Sequence, residues 1–102
     1  MVGGFSQVDQ AQIANLRNDP MLSKAEEEAR KAYRERNNGE LGNMVELYQQ
    51  VVAGINYKMI FQTENGNYEV LVFAQPWTET YKVLEMNPVI NNQWFNIIPN
   101  IK

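Results

Sequence analysis

The chain contains no cysteine and no histidine. Without cysteine there is no thiolate nucleophile and no disulfide framework. Without histidine there is no imidazole base, so a Ser-His-Asp site is excluded along with any Cys/His zinc or haem site. Chemistry by carboxylates alone survives in principle. No Asp or Glu stands in a recognisable catalytic setting, and neither a P-loop nor a Gly-x-Gly-x-x-Gly run occurs. The reading is a protein that is not an enzyme and needs no cofactor or metal. Charge is also scarce, at −3 net with 9 basic against 12 acidic residues, so little draws the chain to nucleic acid or an anionic membrane. No apolar run approaches a membrane span. No charged and apolar leader precedes Gly3-Gly4, and no Asn-x-Ser/Thr sequon appears.

What is present suits one globular domain: 102 residues, 44% hydrophobic and 11% aromatic. Residues 1–8 are small and weakly patterned, and adjacent glycines at 3 and 4 cost entropy to fix, so a mobile arm is expected. Val8 to Leu16 has a weak helical spacing, read as a turn or short helix. The main helix is expected over about 22–37. Ser23 would cap it, Glu26 falls where a capping box wants it, and Asn37-Asn38-Gly39 would end it. Its stripe of Leu22, Ala25, Ala29, Ala32 or Tyr33 and the Arg36 stem is small enough to lie close on a sheet. Lys24, Arg30, Lys31, Arg34 and Arg36 interleave with glutamates and read as a solvated, charge-paired face.

Strand signals follow. Met44 to Val52 is expected as one strand and Asn56 to Thr63 as its return, with Tyr57, Met59 and Phe61 on one face. Tyr68, Val70, Val72 and Ala74 alternate on a third strand, and Thr80 to Met86 makes a fourth. Asn65-Gly66 between the second and third suits a type I′ turn. A short strand near the arm would complete the sheet. The fold class is α+β, one main helix across an antiparallel meander. Gln50–Gly54 would be a five-residue hairpin loop, and it shares one end of the sheet with Pro76-Trp77, two connections on. By periodicity alone the first is a plain hairpin with one permissive glycine. Trp77 beside Pro76 is open to two readings, a cap over the core edge or an exposed interface anchor. Gln75 reads as a positioning residue.

The residues Gln50-Val51-Val52-Ala53-Gly54 resemble the first inhibitory loop of the cystatin family, reversible inhibitors of papain-like cysteine peptidases. Gly3-Gly4 resembles that family's N-terminal glycine, and Pro76-Trp77 its second loop. The three come in family order and the resemblance covers about Gly3 to Val89. It implies the cystatin fold and a three-part wedge of Gly3, Gly4, then Gln50, Val51, Val52, Ala53 and Gly54, then Pro76 and Trp77. That wedge would cover a cathepsin-type peptidase's thiol without being cut. Val2 would fill a substrate-type pocket, and Gly54 and Ala53 would allow close approach to the enzyme. The partner implied is the peptidase, bound by a monomer. Straightening of the first loop would allow an inactive domain-swapped dimer.

The absence of cysteine and leader resembles the cytosolic, stefin-like branch, whereas Pro76-Trp77 resembles the secreted and plant branches. Cytoplasmic location is the expectation, with an extracellular one if a leader has been removed. Asn37-Asn38-Gly39-Glu40 lacks the Ser and Asp of the family's legumain-inhibiting motif and reads instead as a helix end. The rival reading from another class is a cystatin-fold binding or scaffold module that inhibits nothing. The apolar segment 90–102, with Trp94, Phe95, Ile97, Ile98 and Ile101, departs from the family. It would pack back on the domain or mediate self-association.

Overall fold

Alternation in the strands and a small-residue stripe in the helix set the architecture. The computed structural model describes residues 4–89. The order is β1 (Ser6–Val8), α1 (Gln10–Leu16), α2 (Pro20–Asn37), β2 (Met44–Val52), β3 (Gly54–Thr63), β4 (Gly66–Gln75), a 3₁₀ turn (Pro76–Thr78) and β5 (Thr80–Pro88). The strands form one antiparallel sheet in sequential order β1-β2-β3-β4-β5, so the class is α+β. Gly3 and the segment 90–102, with Trp94 to Ile101, lie outside the described residues, as does Val2. Among the described residues no helix is long and apolar enough to cross a membrane.

One sheet face makes the core. Tyr57, Met59 and Phe61 of β3 and Tyr68, Val70, Val72 and Ala74 of β4 are all buried, as their alternation requires. Against them α2 lays Leu22, Ala25 and Ala29, each fully buried, with Ala32 and Tyr33 packed beside them. Tyr33 meets Tyr68 edge to face at 4.8 Å between ring centres. Ile13 of α1 and Val8 of β1 close the core at the other side.

Several boundaries differ from the sequence reading, each for a local reason. The arm is shorter than expected, because Ser6–Val8 pairs with β2 through Ser6–Gln49, Gln7–Tyr48 and Val8–Leu47. Val8 therefore belongs to a strand, and α1 starts after Asp9, whose carboxylate accepts from the Gln12 amide at 2.9 Å. The main helix starts at Pro20, not near Ser23. Asp19 is its cap and accepts from the Met21 amide at 3.0 Å, while Pro20, which has no N–H to satisfy, takes the first helical position. Ser23 lies inside the helix, its amide already bonded to the Asp19 carbonyl. The turn after β3 is not type I′. Glu64 and Asn65 connect Thr63 to its partner Gly66, and neither takes the positive φ that such a turn needs; Gly66 alone does, at φ 114°.

Arg30 departs from a purely solvated role. It pairs with Glu26 at 2.9 Å, but it also donates to the carbonyls of Leu41 at 2.8 Å and Gly42 at 3.0 Å and lies over the Phe61 ring. It ties the helix to the chain entering β2. Asn38 ends α2 in the left-handed region at φ 56°, as a helix terminator does.

Two expectations follow. Ala29→Leu would force α2 off the sheet and lower stability by about 1–3 kcal/mol in urea unfolding, against a negligible effect of Lys31→Leu at an exposed position of the same helix. Burial, assisted by the Asp19 carboxylate and Tyr81, pushes the Tyr57 phenol up to about 12. The folded state therefore holds this proton more tightly than the unfolded one. The stabilisation is complete below about pH 10 and is lost as pH rises through about 12. Unfolding at pH 9 to 12 should show a steeper loss in the parent than in Tyr57→Phe, and equal slopes would exclude Tyr57 as the cause.

Candidate functional site

Antiparallel register decides which segments share an end of the sheet. β1 begins opposite Gln49, β2 and β3 turn over at Ala53, and β4 and β5 turn over at Pro76–Thr78. Gly4, the Gln50–Gly54 segment and Pro76-Trp77 therefore lie at one end, in that order across the sheet. Five strands at about 4.8 Å spacing make this edge roughly 20 Å wide.

The first hairpin is tighter than a five-residue loop. Gln50 pairs with Asn56, Val51 with Ile55 and Val52 with Gly54, so Ala53 alone stands outside the ladder. Gly54 makes this reversal possible with φ 132°, a conformation other residues avoid. Its role is internal. A Cβ there would lie 2.5 Å from the Ala74 carbonyl oxygen and 2.9 Å from the Phe73 ring. Gly54 is buried against β4, which gives it a role inside the fold whatever else it contacts. Gly4, by contrast, is exposed with open space where a Cβ would stand.

Two large apolar side chains project from the edge: Val51 is 70% and Trp77 69% exposed. Trp77 is thus not a cap over the core. Pro76 starts the turn that carries it, and Glu79 closes that turn in the left-handed region with its amide bonded to the Pro76 carbonyl at 2.9 Å. Ala53 is exposed, while Gln50, Val52 and Pro76 are half-buried.

Polar side chains hold these tips in place. Asn56 Nδ2 donates to Gln50 Oε1 at 3.0 Å, across the β2–β3 pair. Gln75 Nε2 donates to the Ala53 carbonyl at 2.7 Å, from the second hairpin to the first. At the arm, Lys58 Nζ stands 4.9 Å from the Phe5 ring centre and 5.0 Å from that of Tyr48, a cation between two aromatic faces. The Tyr48 hydroxyl donates to Glu46, which pushes the phenol's pKa upward. Asn56, Phe5, Tyr48 and Lys58 were missed by sequence reasoning. Gln50 faces Asn56 and Tyr48 faces Lys58 across the β2–β3 hairpin, while Phe5 comes from the arm, and strand register sets which of them meet.

Compared with known proteins, the chain matches no family model, no curated protein and no solved structure.

Gly54→Ala should lower stability by more than about 1 kcal/mol, because it combines a positive φ with a clash against backbone. Gly4→Ala should leave stability unchanged. Urea unfolding of the two variants checks the contrast, and equal values would contradict the assigned role of Gly54.

Proposed function

We propose that this sheet edge is the contact surface of a reversible inhibitor of papain-like cysteine peptidases, on a cystatin fold. The observation that carries the reading is the placement of the three motif segments. Gly4, Val51 with Ala53, and Trp77 are spread along one edge although they lie far apart in sequence. Gly3, outside the described residues, belongs to the first segment by sequence.

The physical properties of the edge suit this task. Its tips are short and braced, so little conformational entropy is lost on insertion into a cleft. Val51 and Trp77 offer apolar area to bury, and a Trp in a Pro-started turn is typical of an interface anchor. No charged side chain lies within Gln50–Gly54 or Gln75–Thr78, so desolvating the tips strands no charge. Covering the thiol of an enzyme requires neither cysteine nor histidine in the inhibitor. A protease–inhibitor contact of ordinary size buries roughly 1,600 Å² in total. The active species is the monomer.

The test is a titration of papain activity with the purified monomer, followed by gel analysis of the chain. The expected result is stoichiometric, reversible inhibition with the chain intact. Trp77→Ala should weaken binding by about 2 kcal/mol or more, close to thirtyfold in Kd. An unchanged constant would remove Trp77 from the contact. No inhibition by a folded monomer would favour a binding or scaffold module on the same fold.

A further inference from the structure

The two hairpin tips are joined by a side chain, not by the sheet ladder. Ala53 lies outside the β2–β3 pairing, and its carbonyl accepts from Gln75 Nε2 at 2.7 Å. The Gln75 amide is oriented at both ends. Its oxygen stands 2.9 Å from Thr78 Oγ1, and that hydroxyl is 3.0 Å from the Gln75 carbonyl and 2.8 Å from Thr80 Oγ1. When the Thr78 proton points to the amide oxygen, the amide nitrogen is left facing Ala53. Beneath the same tip, Gly54 presses on the Ala74 carbonyl with no room for a Cβ. The first tip is thus bracketed between β4 below and the second turn at its side.

We propose that Gln75 is a positioning residue that locks the two tips into one recognition edge and acts on the partner through Ala53. This rests on the reading of the edge as a peptidase-binding surface. The side chain is turned along the edge towards the neighbouring hairpin, while Trp77 projects outward. Its contribution is to hold the Ala53 turn in one geometry before the partner arrives, which reduces the ordering required on binding. The other groups at the tip cannot replace it. Asn56 reaches Gln50, and Thr78 and Thr80 face Gln75 and each other.

The experiment compares the full chain with Gln75→Ala, Gln75→Glu and Thr78→Val, using two readouts. The first is amide hydrogen exchange in the free protein at Val51, Val52, Gly54 and Ile55, the ladder positions flanking Ala53, with Val70 and Val72 as core references. The second is Kd for papain across pH 4 to 7, as a ratio to the parent so that papain's own titration cancels. Gln75→Ala should speed exchange at the tip about fivefold with the core unchanged, and weaken binding about five- to tenfold. Thr78→Val, which releases the far end of the amide together with the Gln75 carbonyl and Thr80 contacts but leaves the bond to Ala53, should give a smaller shift in the same direction. In Gln75→Glu a protonated carboxyl still donates to the Ala53 carbonyl, and a carboxylate cannot. Its affinity ratio should therefore be near the parent's at about pH 4 and fall through the carboxyl range as pH rises. A lock of merely structural value would give a ratio that is flat with pH. Unchanged exchange at the tip, or a pH-independent ratio for Gln75→Glu, overturns the proposal. If the parent does not bind papain, the functional reading fails and the recognition half of the proposal falls with it. Exchange then still decides whether Gln75 locks the tips.

Discussion

The pairing of β3 with β4 is the constraint on which the rest depends. It runs without interruption from Ile55–Ala74 to Thr63–Gly66. It sets the phase in which Tyr57, Met59 and Phe61 face the same way as Tyr68, Val70, Val72 and Ala74. A slip of one residue would turn all the β4 side chains outward, and the cost in buried apolar area would be prohibitive. The same register presses Gly54 against Ala74, so one pairing fixes both the core and the position of the first tip. The neighbouring pairings are less regular. β2 carries an irregularity between Met44 and Glu46, and β5 is shifted opposite Leu71 and Val72. The first lies at the end of β2 remote from the tips, and the second lies in the middle of β4.

Helix α2 depends on that surface in turn. Its inward positions are small, and small residues supply little burial individually. They work because they bring the helix close enough for Leu22 and Tyr33 to reach the core. Arg30 then fixes the helix sideways by holding the Leu41 and Gly42 carbonyls, a role that a residue on a solvated face would lack. A rigid sheet with a docked helix leaves one sheet end for short, braced turns. That division between scaffold and tips is the usual way a binding surface is made precise.

Electrostatics has a small part at the edge. The charged residue at the tips is Glu79, exposed where it closes the Pro76–Thr78 turn; Lys58 and Glu46 lie further along the sheet, engaged with aromatic rings and a phenol. What the tips offer a partner is apolar area and backbone. The arrangement suits insertion into a cleft better than long-range attraction of a charged partner.

Much of this was legible in the sequence. Periodicity of two and of 3.6 located four strands and the main helix, because core burial imposes that alternation on the residues themselves. Absence of cysteine and histidine excluded whole classes of chemistry, and the order of the motif segments placed the candidate edge. The five-residue loop, the type I′ turn and the Ser23 cap were misplaced, since each depended on local preference at a boundary where alternatives differ by about 1 kcal/mol. The tertiary structure decided what needed partners distant in sequence. It showed that Gly54 is required by Ala74 within the fold, that Arg30 holds the entrance to β2, and that Gln75 reaches Ala53 twenty-two residues away. Residue types reveal what a side chain can do, and strand register determines what lies within its reach.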